Sequence, residues 1–412
     1  MANDTVTFRE AATLVRHGVQ PEDVGDMPYI GLEHIEERKL RLLGVGSAKD
    51  VTSTKFRFSK GDILFGKLRP YFRKVIRAPL DGVCSTDIWV VRSKPGIDQG
   101  YLYYWMASEA FVNFATQGSE GTKMPRAKWD HVGRFEQFRL QEADQRATAH
   151  ILGSLDDKIE LNRRMNTALE AMARAIFKSW FVDFDPVRAK SEGRDPSLPG
   201  EIAALFPNSF QDSDLGEIPN GWNATTLKDG IEIFDSARIP LNKRQRAERQ
   251  GPYPYYGAAG IMDHVDDFLF DGVYVLTGED GSVADGDGYP VVQYVWGQFW
   301  VNNHAHILKG KNGVSEEHLY LFLQQMNIAA FVTGAVQPKL NQKNLKAIPF
   351  VLPKEPVCMA FSELIQPLFA KVRVNTDENV TLASLRDTLL PKLISGELRV
   401  PDTEKFLEEA GV

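Results

Sequence analysis

The 412-residue chain is 43% hydrophobic and 25% charged, with a formal net charge of −7. That length exceeds one ordinary core, so two or more domains are expected; the acidic balance excludes a generally basic nucleic-acid binder and confines any such contact to local patches. No apolar run reaches the roughly 18 residues of a membrane helix, and "MANDTVTFRE" lacks the basic and apolar parts of a signal peptide, which predicts a cytoplasmic chain without membrane contact.

In chain order, the first elements are strands. "GDILFG" from Gly61 and "STDIWVV" from Ser85 are β-branched and aromatic and are bounded by turn residues. Around the first lies a basic window, "KFRFSKGDILFGKLRPYFRKVIRA", whose lysines and arginines face a single acid, Asp62, and alternate with Phe56, Phe58, Tyr71 and Phe72. "GYLYYWMASEAFVNFAT" predicts a short helix and "GTKMPRAKW" a basic loop. Next, Leu152, Leu155, Ile159, Asn162, Asn166, Leu169, Ala173, Ile176 and Trp180 advance in alternating steps of three and four, the seam of a helix packed lengthwise on another. The stretch that follows, "VDFDPVRAKSEGRDPSLPGEIAALFPNSFQDSDLGEIPNGW", is rich in Pro, Gly, Asp and Ser and reads as a surface linker. Beyond it come another basic and aromatic segment, "LNKRQRAERQGPYPYYG", the strands "GVYVLTG" and "YPVVQYVWGQFWV", the helix "SEEHLYLFLQQMNIAAFVT" and the loop "QPKLNQKNLK".

The partner for the seam lies near the other end of the chain. Adding 213 to each position gives Ile365, Leu368, Val372, Asn375, Asn379, Leu382, Arg386, Leu389 and Leu393, with both asparagines in register. Ala173 maps to Arg386, which predicts an end of the seam open to solvent. "STDIWVV" matches "NNHAHIL" at an offset of 217, and "TKMPRAKW" matches "PKLNQKNL" at 216, so that Pro125, Arg126 and Ala127 stand against Asn341, Gln342 and Lys343. One unit of strands followed by a long helix therefore occurs twice. Antiparallel pairing of the helices places Asn162 near Asn379 and Asn166 near Asn375. Paired amides would fix the register, because a slip buries unmatched polar groups at about 1 to 3 kcal/mol apiece; the competing reading puts them on a solvated face. Helices of roughly 35 to 40 residues, about 50 to 60 Å long, would act as a spacer.

A long ligand with two separated sites suits that plan, and the basic segments suit DNA. Candidate DNA-binding residues are Lys67, Arg69, Tyr71, Arg73 and Lys74 in the first basic window, and Lys123, Arg126 and Lys128 in the first loop. Those of the second unit are Lys243, Arg244, Arg246 and Tyr256, with Gln337, Lys339, Asn341, Gln342 and Lys343 in its loop. Lys and Arg bond phosphates or guanine edges, and Asn and Gln bond adenine edges. No phosphate loop, glycine fingerprint or base-methylation motif is present, so neither catalytic residues nor a cofactor is expected. His304 and His306 share a strand face without an evident third metal ligand, and packing or DNA-facing roles are expected for them. "GEDGSVADGDG" with Asp285 and Asp287 reads as a hairpin loop, not a calcium site; "PDTEK" from Pro401 is too compressed for a nuclease motif. Cys84 and Cys358 read as buried thiols.

The sequence resembles the DNA specificity subunits of type I restriction-modification systems, through "YIGLEHI", "ILGSLDDKIELNRRMNTALEAMARAIFKSWFVDFDPV", "LGEIPNGW", "GPYPYYGAAGI" and "LRDTLLPKLISGEL". The resemblance implies an α/β (α+β) fold of two similar target recognition domains joined by an antiparallel coiled-coil spacer. The expected divisions are 1–140 and 215–354 for the recognition domains, 141–182 and 355–398 for the long helices, 183–214 for the linker and 399–412 for the tail. It also implies a non-catalytic subunit that binds double-stranded DNA, each domain reading half of a bipartite target, and that docks two adenine methyltransferase subunits and ATP-dependent restriction subunits. The same chain could serve a modification-only or fused restriction system, or act as a scaffold bridging two proteins.

Overall fold

Alternation along the central strands builds a sheet buried on both faces, and it does so twice. The computed structural model describes residues 5–334 and 336–399; "PDTEK" and the rest of the tail from Val400 lie outside them. The chain divides into two compact units, the first holding the residues up to Leu161 and from Glu378 onward, the second Asn162–Asp377.

In the first unit an antiparallel sheet runs in the order Ala12–Val15, Ile88–Ser93, Ile63–Gly66, Val75–Arg77. Ile63, Phe65, Trp89 and Val91 point to one side, into a core shared with the helices Gln99–Ala107 and Glu109–Gln117. Leu64, Ile88 and Val90 point to the other, against Ile30, Phe58 and Cys84 of a five-stranded sheet. This is the period-two rule acting on a strand with no solvent face. The expected single helix is two helices, because Ser108 ends the first and its hydroxyl caps the second at Phe111 N.

The second unit repeats the plan with Ile231–Ile233, Ala305–Gly310, Tyr274–Gly278 and Val292–Val295 in the same order. Val275 and Leu308 face the helix Glu316–Gln325, while Leu276 and Ile307 face the second sheet. "YPVVQYVWGQFWV" is two strands, Val292–Val295 and Gln298–Val301, with Gly297 at φ 76° between them. The stretch 183–214, expected as a linker, folds instead: the helices Asp185–Ser191 and Gly200–Leu205 deliver Phe184, Val187 and Phe206 into a core with Trp180, Trp222 and Phe361. Helices this short show no periodicity, so composition alone hid them.

The long helices are Glu142–Phe181 and Glu355–Ser395. In each unit their local halves run antiparallel: in the second, Asn166 meets Asn375 while Phe177 and Trp180 meet Phe361. The expected pair is a hydrogen bond from Asn375 Nδ2 to Asn166 Oδ1 at 2.8 Å, and Asn166 Nδ2 continues to Thr376 Oγ1 at 3.1 Å and the Val372 carbonyl at 3.3 Å. For Asn162 and Asn379, which belong to different units, register selection stands as a proposal. Asn166→Leu is expected to strand the buried Asn375 amide and lower stability by about 1 to 3 kcal/mol. Asn166→Leu with Asn375→Leu should recover most of that loss, as read by urea unfolding.

One expectation about the seam is overturned. Arg386 does not lie at an open end: it is 3% exposed and donates to Asp156 Oδ1 at 2.6 Å and to Asp387 Oδ1 at 3.0 Å. Burial alone would lower its pKa, but the two carboxylates outweigh it and hold the guanidinium charged. A charge can occupy a seam position when its counter-charge is supplied from the facing helix.

Candidate nucleic-acid interface

The two basic loops are closed by the same backbone device. Glu120 and Arg126 exchange N–H···O bonds of 3.0 and 2.9 Å, and Thr333 and Lys339 exchange bonds of 2.9 and 2.7 Å. The loop tips thus lie between Glu120 and Arg126 and between Thr333 and Lys339. Gly121 and Gly334 begin them at φ 105° and 90°, where a Cβ would come within 3.1 Å of the Met124 carbonyl oxygen and 2.3 Å of that of Gln337. Only glycine turns the chain there without strain. Each tip is moored by one more amide, Arg69 N–H to the Pro125 carbonyl at 2.7 Å and Gly281 N–H to that of Pro338 at 3.1 Å. Short helices then follow, with Lys128 and Asn341 at their N-caps.

These bonds correct the register of the repeat. The loops superpose at an offset of 213, Arg126 on Lys339 and Lys128 on Asn341, and not at 216. Side-chain likeness between "TKMP" and "PKLN" suggested the wrong alignment; backbone hydrogen bonding decides the right one. The exposed tip residues Lys123 and Met124 therefore correspond to Val336 and Gln337.

In the first unit a cluster of cations surrounds the loop. Arg126 grips Asp87 with two bonds of 2.9 and 3.1 Å, Lys67 lies 4.0 Å from the same carboxylate, and Lys128 pairs with Glu120 at 2.8 Å. Burial lowers the Lys67 pKa; Asp87 opposes the shift, while Arg126, Arg16 and Lys128 add to it. The Arg126 hydrogen bond holds the Asp87 carboxyl below the usual range despite burial. Such a cluster attracts a polyanion. Arg16 had no local signal: it reaches the cluster because the strand Ala12–Val15 pairs with Ile88–Ser93. Tyr71 and Lys123 are exposed, and Arg69, half-buried at φ 50°, donates to the Lys123 carbonyl at 3.3 Å.

Two residues of the first window are structural. Arg73 is 5% exposed, donating to the Ala107 carbonyl at 2.6 Å and pairing with Glu109 and Asp387, each at 3.4 Å. Lys74 donates to the Leu32 carbonyl at 2.8 Å and lies 3.8 Å from Glu37. Arg73 cannot serve a phosphate without abandoning those partners, so the DNA contact expected of it is withdrawn, while Lys74 has one of its three donors committed to the fold.

The second unit is differently equipped. Arg246 is held by Asp263 at 3.1 Å, by the Leu241 carbonyl at 2.7 Å and over the Tyr255 ring, and Tyr256 packs edge-on against Phe299, where burial raises its hydroxyl pKa. Asn341 caps its own helix through Asn344 N, and Gln342 donates to Asp235 at 2.6 Å. These four are framework, contrary to expectation. Arg244 is exposed but paired with Glu248, and Lys339 lies 3.7 Å from Glu279. Lys243, Val336, Gln337 and Lys343 form the exposed remainder. His304 bonds Asp280 at 2.5 Å and His306 is fully buried. Asp285 Oδ1 accepts the N–H groups of Asp287 and Tyr289, the turn of a hairpin.

Comparison with known proteins agrees with this duplicated arrangement. A family model described as "Type I restriction modification DNA specificity domain" matches residues 219–375. The chain is 25% identical over 399 residues to the type I restriction enzyme MjaIX specificity subunit of Methanocaldococcus jannaschii, covering 93% of this chain and 87% of that one. It is also 25% identical over 441 residues to the HindI specificity subunit of Haemophilus influenzae, covering 90% and 94%. The fold is that of the crystal structure of the type I restriction-modification S subunit from M. genitalium, with a TM-score of 0.54 over 95% of each chain at 16% identity. Over nearly its whole length the chain is thus similar to specificity subunits of type I restriction enzymes, and its second unit matches the model of their DNA specificity domain.

Proposed function

We propose that the chain is the sequence-specific DNA-binding subunit of a type I restriction-modification assembly. Each unit reads one half of a bipartite target and directs adenine methyltransferase and ATP-dependent restriction subunits to it; the chain itself supplies no catalytic group. The observation that carries this reading is the twice-built loop frame, identical in its backbone bonds and different at its tips, Lys123 and Met124 against Val336 and Gln337. A frame that keeps its geometry while changing its exposed side chains is what two readers of different half-sites require. The cations around the first loop supply phosphate attraction, which makes binding salt-dependent.

Selection from a random duplex pool by the full chain with its methyltransferase partners is expected to return two short motifs at a fixed gap, with affinity falling as salt rises. A single contiguous motif, or equal binding to every duplex, would contradict the proposal.

A further inference from the structure

Asp235, Glu279 and His306 converge in the second unit as closely as ligands around a metal ion. Arg238 already supplies the positive charge: it donates to Glu279 at 2.8 Å and to the Ala305 carbonyl at 2.8 Å, and lies 3.6 Å from Asp235. The cluster has another use. His306 is wholly buried on the strand Ala305–Gly310, with Nδ1 2.6 Å from Asp235 Oδ2 and Nε2 2.7 Å from the Leu340 carbonyl oxygen. A carbonyl can only accept, so Nε2 carries a proton. Asp235 is occupied as an acceptor as well: Oδ2 receives Gln342 Nε2 at 2.6 Å, and Oδ1 receives the Ile307 N–H at 3.0 Å. Burial would raise the Asp235 pKa, but the His306 bond and charge, the Ile307 N–H and Arg238 together hold it below the usual carboxylate range. Facing a carboxylate, Nδ1 is a donor too.

We infer that a doubly protonated His306 is the positioning residue of the second recognition loop, tying Leu340, and with it Lys339 and the following helix, to the central sheet. The remaining charged groups around it are Glu279, 3.9 Å from Nδ1, and Lys339, which pairs with Glu279 on the loop side. Among the described residues the first unit shows no such strut. Trp89 stands at the position of His306, stacked on Phe65, and strand register puts Arg16 where the second unit has Asp235. Without the imidazole, Leu340 is left with its own N–H bond to the Glu279 carbonyl at 2.9 Å, so the second loop loosens while the first keeps its mooring.

The inference rests on the half-site reading proposed above, and its test separates the two. Binding of the full chain with its methyltransferase partners is measured on the selected duplex and on duplexes scrambled in one half, for the wild-type chain, His306→Leu and His306→Gln. Discrimination against second-half changes is expected to fall about tenfold or more in His306→Leu, the worth of one charge-assisted bond, and less in His306→Gln, which keeps an amide donor; discrimination against first-half changes is expected to stay as in the wild type. Equal losses in both halves, or an unchanged second half in His306→Leu, would overturn the role of His306 alone. Absence of discrimination in either half by the wild-type chain would overturn the half-site reading and the inference with it.

Discussion

Asp156→Ala is expected to lower the stability of the first unit by about 3 to 5 kcal/mol, one of the two largest effects foreseen. The reason is the charge it strands. The Arg386 side chain is 4% exposed and its bond to Asp156 is the shortest it makes, at 2.6 Å. Asp387, its other partner, is 43% exposed and shared with Arg73, so it cannot compensate for the loss. The substitution also removes the acceptor of the Tyr104 hydroxyl, 2.7 Å from Asp156 Oδ2. Replacing both members, as in Asp156→Ala with Arg386→Met, should restore much of the stability, because an apolar pair incurs no ionic desolvation. Urea unfolding followed by hydrogen exchange in the first unit reads both values. A loss below about 1 kcal/mol for the single variant would mean that the pair acts as an exposed one.

Trp222→Ala is expected to cost the second unit a similar amount, about 3 to 5 kcal/mol. Trp222 is 1% exposed, with the rings of Phe184, Phe181 and Phe206 at centroid distances of 5.7, 5.9 and 6.4 Å. Its Nε1 is buried without a hydrogen-bond partner. Trp222→Phe sacrifices no polar contact and should cost distinctly less, about 1 to 2 kcal/mol. Because Phe184 and Phe206 flank the stretch 185–205, Trp222→Ala should also expose that stretch to limited proteolysis, which Trp222→Phe should not. Equal costs for the two variants would show that the indole is not packed as described.

How much of this was legible in the sequence depended on the range of the signal. The long helices were readable because their seam repeats over nine positions, and the Asn166–Asn375 bond followed from matching two seams. The central strands were readable because Ile63, Phe65, Ile88 and Val90 are apolar within short runs bounded by turn residues. The folded stretch 183–214 was not, since its aromatics sit between prolines and glycines in helices too short for a period. Among site residues, Lys123 and Gln337 were found as exposed loop groups, whereas Arg73, Arg246 and Gln342 were chosen for side-chain type alone. Their commitments to Ala107, Asp263 and Asp235 come from residues 34, 17 and 107 positions away. No local pattern encodes such partners. Arg16 was hidden for the same reason, as were the partners of His306, whose packing role was among the expectations: strand pairing, not sequence neighbourhood, gives both residues their surroundings.

The most direct test of the account is a comparison of selected DNA sites for the wild-type chain, a variant with Lys123→Ala and Met124→Ala, and a variant with Val336→Ala and Gln337→Ala. Each is assembled with its methyltransferase partners and read by sequencing of the retained duplexes. The first variant is expected to relax only the first half of the motif and the second variant only the second half, with the gap between halves unchanged; a change of both halves by either variant would refute independent reading by the two loops.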